Sequence, residues 1–182
     1  APPTHVVPPS VYLNERDRAQ ALILEDDQMT CMGELGGYRM VRGSHGVHGG
    51  AYYWEVLILE PESDPENAHI RLGWSTRQGE LNAPVGFDKW SYGYRDINGS
   101  KCHDGVRDDG YGEGYGPGDV IGCYLRLDLE TGNNLMHFFR NGVDQGVAYA
   151  GDELRAGVYF PAVSLFNRAK VSANFGPSFI FE

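Results

Sequence analysis

Val120–Tyr149, VIGCYLRLDLETGNNLMHFFRNGVDQGVAY, is the stretch on which the fold turns. It opens on an alternation, with Ile121, Cys123, Leu125 and Leu127 on one face and Tyr124, Arg126 and Asp128 on the other. A period of two is that of a half-buried strand, because successive side chains of an extended backbone point to opposite sides. Leu135–Arg140 and Val143–Tyr149 are strand-like in turn and flank Asn141-Gly142. That dipeptide is the strongest short-range hairpin signal in the chain, since a type I′ turn needs positive φ at both central residues.

The same reading extends outward in both directions. Tyr159–Leu165 and Lys170–Phe175 are expected as the last two strands. Ala51–Leu59 is expected as a long one, with Tyr52, Trp54, Val56 and Ile58 on one face and Tyr53, Glu55, Leu57 and Leu59 on the other. Large apolar residues on both faces mark a central strand covered from two sides. Before it come short strands at Val11–Leu13, Ala21–Leu24, Met29–Met32 and Tyr38–Arg42, with a polar turn at Arg16–Ala19. After it come Ile70–Ser75, Ser91–Arg95 and Lys101–His103, and then a loop at Asp104–Gly118 dense in Gly, Asp and Tyr. No stretch keeps a helical period beyond two turns. About a dozen strands at short spacing make an all-β sandwich of two antiparallel sheets. Residues 1–10, with four prolines, are read as an extended lead-in and residues 11–182 as one domain.

Composition narrows the function. The formal charge of −10 disfavours a general nucleic-acid or anionic-membrane binder, because phosphate neutralisation needs a positive field. Cys31, Cys102 and Cys123 are odd in number and widely separated, which favours free thiols in a reducing compartment over a disulfide framework. The chain stops at Glu182 straight after a strand-like run and is expected to be a fragment of a longer protein.

No catalytic constellation stands out. His45 and His48 lie in a glycine-rich loop without a second cluster at ligand spacing, so no metal site is expected. Cys102-His103-Asp104 places its candidate nucleophile and base on adjacent strand residues, which face opposite ways. The run GYGEGYGPGD at Gly112–Asp119 lacks phosphate-loop spacing and carries acids where donors are needed. The expected function is non-catalytic, without a cofactor.

The most informative candidate surface is His69–Arg95, HIRLGWSTRQGELNAPVGFDKWSYGYR. Two strands bracket a long excursion, and long loops in compact β domains are candidate working surfaces. Arg71 and Arg95 mark its ends, with Arg77 and Lys89 between them. Pro84, Phe87, Trp90, Tyr92 and Tyr94 offer rigid or aromatic surface nearby. Guanidinium groups beside flat apolar surface suit a partner segment that carries carboxylates and a greasy side chain.

The order of motifs adds a resemblance. GAYYWEV at Gly50–Val56, RLGWS at Arg71–Ser75, SYGY at Ser91–Tyr94 and GDVIGCYL at Gly118–Leu125 are followed by FFRNGVDQGVAY at Phe138–Tyr149, YFPAVSL at Tyr159–Leu165 and VSANFG at Val171–Gly176. Together they resemble a SPRY domain, the B30.2-related, concanavalin-like β-sandwich used as a binding module. Gly37–Val56 and Leu72–Arg95 resemble, more narrowly, the SPRY domains of Ash2-type subunits. Those are non-catalytic members of the SET-domain complexes that methylate lysine 4 of histone H3. The resemblance implies a nuclear protein whose SPRY module binds an acidic segment of a retinoblastoma-binding-protein-type β-propeller subunit and so supports the SET-domain methyltransferase. The net charge, in turn, gives the expectation of no membrane partner and no direct nucleic-acid binding by this fragment.

Carried over by motif, the partner pocket falls on Tyr38, Arg71, Pro84 and Arg95, with Phe87 standing where the family has a tyrosine. A polar insertion that the family often has before its last hairpin is replaced here by the short turn at Thr131–Asn134. A generic SPRY adaptor recruiting substrates to a ubiquitin ligase is the alternative within the family. A carbohydrate-binding sandwich is the alternative outside it.

Overall fold

The structure, a computed structural model, describes residues 10–181. All but the last residue of the proline-rich lead-in lies outside them. Fourteen strands, numbered in chain order, form two seven-stranded antiparallel sheets. The first sheet runs β1 (Leu13–Arg18), β4 (Arg39–Gly43), β13 (Phe160–Phe166), β6 (His69–Ser75), β7 (Ser91–Arg95), β8 (Lys101–His103), β9 (Val106–Asp108). The second runs β12 (Val143–Ala150), β11 (Leu135–Arg140), β10 (Val120–Leu127), β5 (Gly50–Leu59), β14 (Lys170–Asn174), β3 (Thr30–Met32), β2 (Ile23–Leu24). The only helical segments described are two single-turn 3₁₀ pieces.

The inward residues of the two sheets make the core. Trp54, Val56, Ile121, Cys123, Leu125 and Phe138 from one sheet meet Leu72, Trp74, Tyr92, Tyr94, Val163 and Leu165 from the other. Trp54 and Trp74 meet edge to face at 6.4 Å, a geometry the ring quadrupoles favour. The β11–β12 hairpin closes at Asn141 (φ 49°) and Gly142 (φ 79°), as a type I′ turn demands. β5 is central, between β10 and β14. Its buried Glu55 accepts backbone N–H bonds from Ile180 and Phe181, each at 2.9 Å, so residues after β14 cover that strand's outer side.

The structure corrects four expectations. The first strand is Leu13–Arg18 and includes residues read as a turn; it is an edge strand with polar residues at every position after Leu13, so no apolar alternation announces it. Ala21–Leu24 shrinks to the two residues of β2. The expected loop at Asp104–Gly118 contains β9, three exposed residues recognisable only by their pairing with β8. Tyr92 and Tyr94 are fully buried core residues rather than part of a surface platform.

The excursion between β6 and β7 lies flat on the outer face of the first sheet. Leu81 and buried Val85 pack against Met40 and Ala162. The Val85 N–H donates to Ser164 Oγ at 2.9 Å and the Gly86 N–H to Ser91 Oγ at 2.6 Å. Buried Arg42 holds the loop's start, donating to the carbonyls of Gly79 (2.9 Å) and Arg77 (3.2 Å) while its other edge pairs with Asp17 at 2.8 Å. The loop is sealed onto the sheet through Val85, Gly86 and Gly79, while Glu80, Asn82 and Phe87 stay exposed on its outer side.

Candidate partner-binding site

β6 and β7 pair so that Arg71 stands directly opposite Arg95. The Asp96 N–H donates to the Ile70 carbonyl at 3.1 Å, which makes the neighbouring pair the hydrogen-bonded one. Arg71 and Arg95 therefore occupy a non-hydrogen-bonded position, where Cα atoms come within about 4.5 Å and side chains are closest. Like charges placed so destabilise a sheet. Neither guanidinium forms an ion pair with any described residue, and Nε of each is buried without an acceptor. An unmet buried donor costs about 1–3 kcal/mol, a cost that a carboxylate laid between the two side chains would relieve.

The apolar side of the site is built from the start of β4 and the end of β13. The Arg71 guanidinium carbon sits 5.3 Å from the centre of the Tyr38 ring, within cation–π range. Tyr38 packs on Phe166 at 5.2 Å, and Phe166 stacks in turn on His69 at 5.9 Å. His69 Nδ1 meets Asp96 Oδ2 at 3.2 Å. Burial pushes the Tyr38 phenol above its ordinary range, opposed by the positive charge of Arg71. Burial likewise raises the Asp96 carboxyl, opposed by His69.

The sequence pointed to Tyr38, Arg71 and Arg95, and the structure brings these three together. Pro84 is not joined to them by any described side-chain contact; its neighbour Val85 bonds Ser164 Oγ, whose hydroxyl donates to the Arg71 carbonyl at 2.9 Å, and so ties the loop backbone to that of β6. Phe87 stands apart. It is 55 % exposed and, among the described residues, stacks on none of the others. Arg77 and Lys89 lie over Phe160 and Trp90 instead. Phe166 and His69 were not named as contact residues, although His69 opens the candidate stretch and Phe166 directly follows the motif at Tyr159–Leu165. Their place in the site comes from the β13–β6 register, which pairs Phe166 with His69.

Gly86 sets the loop's descent onto the sheet. With φ +90° it fills the third position of the turn closed by Phe87 N–H to the Pro84 carbonyl at 3.0 Å, a place that favours glycine. A Cβ there would collide with the backbone of Cys102 directly beneath. Cys102 is buried, and burial raises its thiol against the pull of Arg71, Arg95 and Arg107. We expect Gly86→Ala to lift the loop and open Cys102. A thiol reagent should label Cys102 quickly in that variant, while the parent protein's three buried thiols react only on unfolding. Equal labelling rates in the two proteins would show that the loop does not seal the sheet. Cys102 and His103 diverge as strand geometry requires: Cys102 pairs outward beside Gly93, and His103 stacks on Tyr92 at 3.8 Å.

A model of the SPRY domain matches residues 51–178. The chain belongs to the SPRY domain family. This SPRY domain is 35% identical to the Set1/Ash2 histone methyltransferase complex subunit ASH2 of Drosophila melanogaster over 213 aligned positions, covering 96% of this chain and 37% of the relative. It is 30% identical to the corresponding ash-2 subunit of Caenorhabditis elegans, covering 94% and 37%. The ATP-dependent RNA helicase DDX1 of Xenopus laevis is 32% identical over 90% of this chain but only 20% of the helicase. The chain thus spans little more than a third of the length of the Ash2-type relatives. Among solved structures, the SPRY domain of human HERC1 superimposes with a TM-score of 0.72 at 22% identity, covering 92% of this chain and 99% of that one, a likeness of fold.

Proposed function

We propose that this SPRY domain is the non-catalytic interaction module of an Ash2-like nuclear subunit. In this reading Arg71 and Arg95 clamp carboxylates of an acidic segment of a retinoblastoma-binding-protein-type β-propeller subunit. Tyr38, Pro84 and Phe87 supply apolar surface, and the pair supports activation of a SET-domain histone H3 lysine-4 methyltransferase. The observation that carries it is the uncompensated Arg71–Arg95 pair, two guanidiniums in register with unmet donors on a chain of net charge −10. Similarity to Ash2 subunits of histone methyltransferase complexes supports the choice of partner.

Calorimetric titration of the acidic segment against this domain tests the reading, with an Asn-rich peptide of equal length as the contrast. The acidic segment should bind and the Asn-rich one should not; the reverse order would favour the adaptor alternative. Affinity should fall as salt rises from about 0.05 to about 0.3 M, because the contacts are ionic and partly exposed. Phe87→Tyr should leave affinity equal or better. The exposed ring keeps its surface and gains a hydroxyl, so a clear loss of affinity would show that position 87 does not stand where the family has its tyrosine.

A further inference from the structure

At the other end of β6 from Arg71 lies a second cleft, of about 450 Å³. Ser75 is four residues along the strand from Arg71, roughly 13 Å at about 3.3 Å per residue, so the two places do not overlap. Trp90, Val158 and Phe160 form the cleft's apolar walls. Two cations cover aromatic rings here: Arg77 lies 4.8 Å from the centre of Phe160, and Lys89 Nζ lies 4.8 Å from the centre of Trp90.

Neither cation has a carboxylate partner among the described residues, and no acidic side chain lines the cleft. The nearest acids along the chain are already committed within the loop. Asp88 accepts from the backbone of Trp90 and Glu80, each at 3.0 Å, and Glu80 accepts from that of Asn82 at 3.0 Å. The floor is rigid, because Arg42 fixes the Arg77 carbonyl at 3.2 Å and pairs with Asp17. A pre-formed apolar cleft with unpaired Arg77 in its lining and unpaired Lys89 over the ring of its wall residue Trp90, on an acidic molecule, is complementary to negative charge attached to an apolar anchor.

We propose that this cleft is a second docking site of the domain, taking an acidic peptide segment that seats one large aliphatic side chain against Trp90 and Phe160 and lays its carboxylates on Arg77 and Lys89. It goes beyond the Arg71–Arg95 reading and does not depend on it. The apolar walls favour a peptide, which can present an aliphatic side chain to Trp90 and Val158, over a nucleic acid, which has none.

Trp90 supplies the reporter. Of the three tryptophans, Trp54 and Trp74 are 1% and 2% exposed, whereas Trp90 is partly open to solvent. The probe is a glutamate peptide of about ten residues with one central leucine, a length that spans the cleft with its flanks. Titration should shift Trp90 emission saturably. Charge reversal at both positions, Arg77→Glu with Lys89→Glu, should weaken binding about ten-fold or more at an unchanged Tm, since both side chains are exposed and unpaired. Replacing the leucine with glutamate should also weaken it, and Arg71→Ala should leave the emission response intact. Any of four results would overturn the proposal: no saturable response, equal affinity in the charge-reversed variant, loss of the response in Arg71→Ala, or binding of an oligothymidine strand as tight as that of the peptide.

Discussion

Arg71→Ala should abolish measurable binding of the acidic segment while leaving the melting temperature nearly unchanged. The two halves of this expectation have one cause. Arg71 faces Arg95 across a non-hydrogen-bonded pair and has no anionic partner among the described residues, so in the unbound domain it contributes repulsion rather than attraction. Deleting it removes a like-charge contact, and the loss of its packing on Tyr38 offsets that gain. In the proposed complex the same guanidinium would be paired and desolvated. Truncating such a group costs about 2–5 kcal/mol, roughly thirty-fold to several thousand-fold in affinity. Arg71→Lys should fall between, because a lysine keeps the charge but loses the planar fork. Calorimetric titration beside a thermal melt reads both quantities. Retained binding would displace the pocket from this pair, and a collapsed fold would make Arg71 structural.

Arg42→Ala should have the opposite signature, a large loss of stability that takes binding with it. Arg42 is 3% exposed and is held by Asp17, Gly79 and Arg77. Removing one member of a buried ion pair typically costs about 3–5 kcal/mol, because the remaining charge loses its partner. In a domain of this size that corresponds to a fall of roughly 6–20 °C in Tm. The loop that carries Pro84 and Phe87 also loses its first anchor, so affinity for the acidic segment should drop even below the melting transition. Pairing Arg42→Met with Asp17→Leu should restore much of the stability, since no unpaired charge remains. A Tm within about two degrees of the parent for Arg42→Ala alone would show that the Asp17–Arg42 pair anchors neither β1 nor the loop.

The strands that were legible before the structure are those whose burial is one-sided and regular. Val120–Leu127 alternates because one face meets the other sheet, and Asn141-Gly142 needs only local geometry to be a turn. β1 and β9 were not legible because edge strands expose their side chains and are defined by a neighbour's hydrogen bonds. The two arginines could be named from the chain because they bracket a long excursion and match a family motif. Their direct opposition could not, since it depends on a register that one residue of slip would break.

From its sequence alone, then, this chain is an all-β sandwich with free thiols, a net negative charge and two arginines around a long loop, because periodicity, turn chemistry and composition are local properties. The tertiary structure alone decided that Tyr92 and Tyr94 belong to the core. It also decided that the loop is sealed down by Arg42, Ser164 and Ser91, that Phe166 joins Tyr38, and that Arg77 and Lys89 lie over Phe160 and Trp90, away from Arg71. Each of these is a contact between segments remote in the chain, and such contacts are set by how two sheets pack and register, which no local pattern encodes.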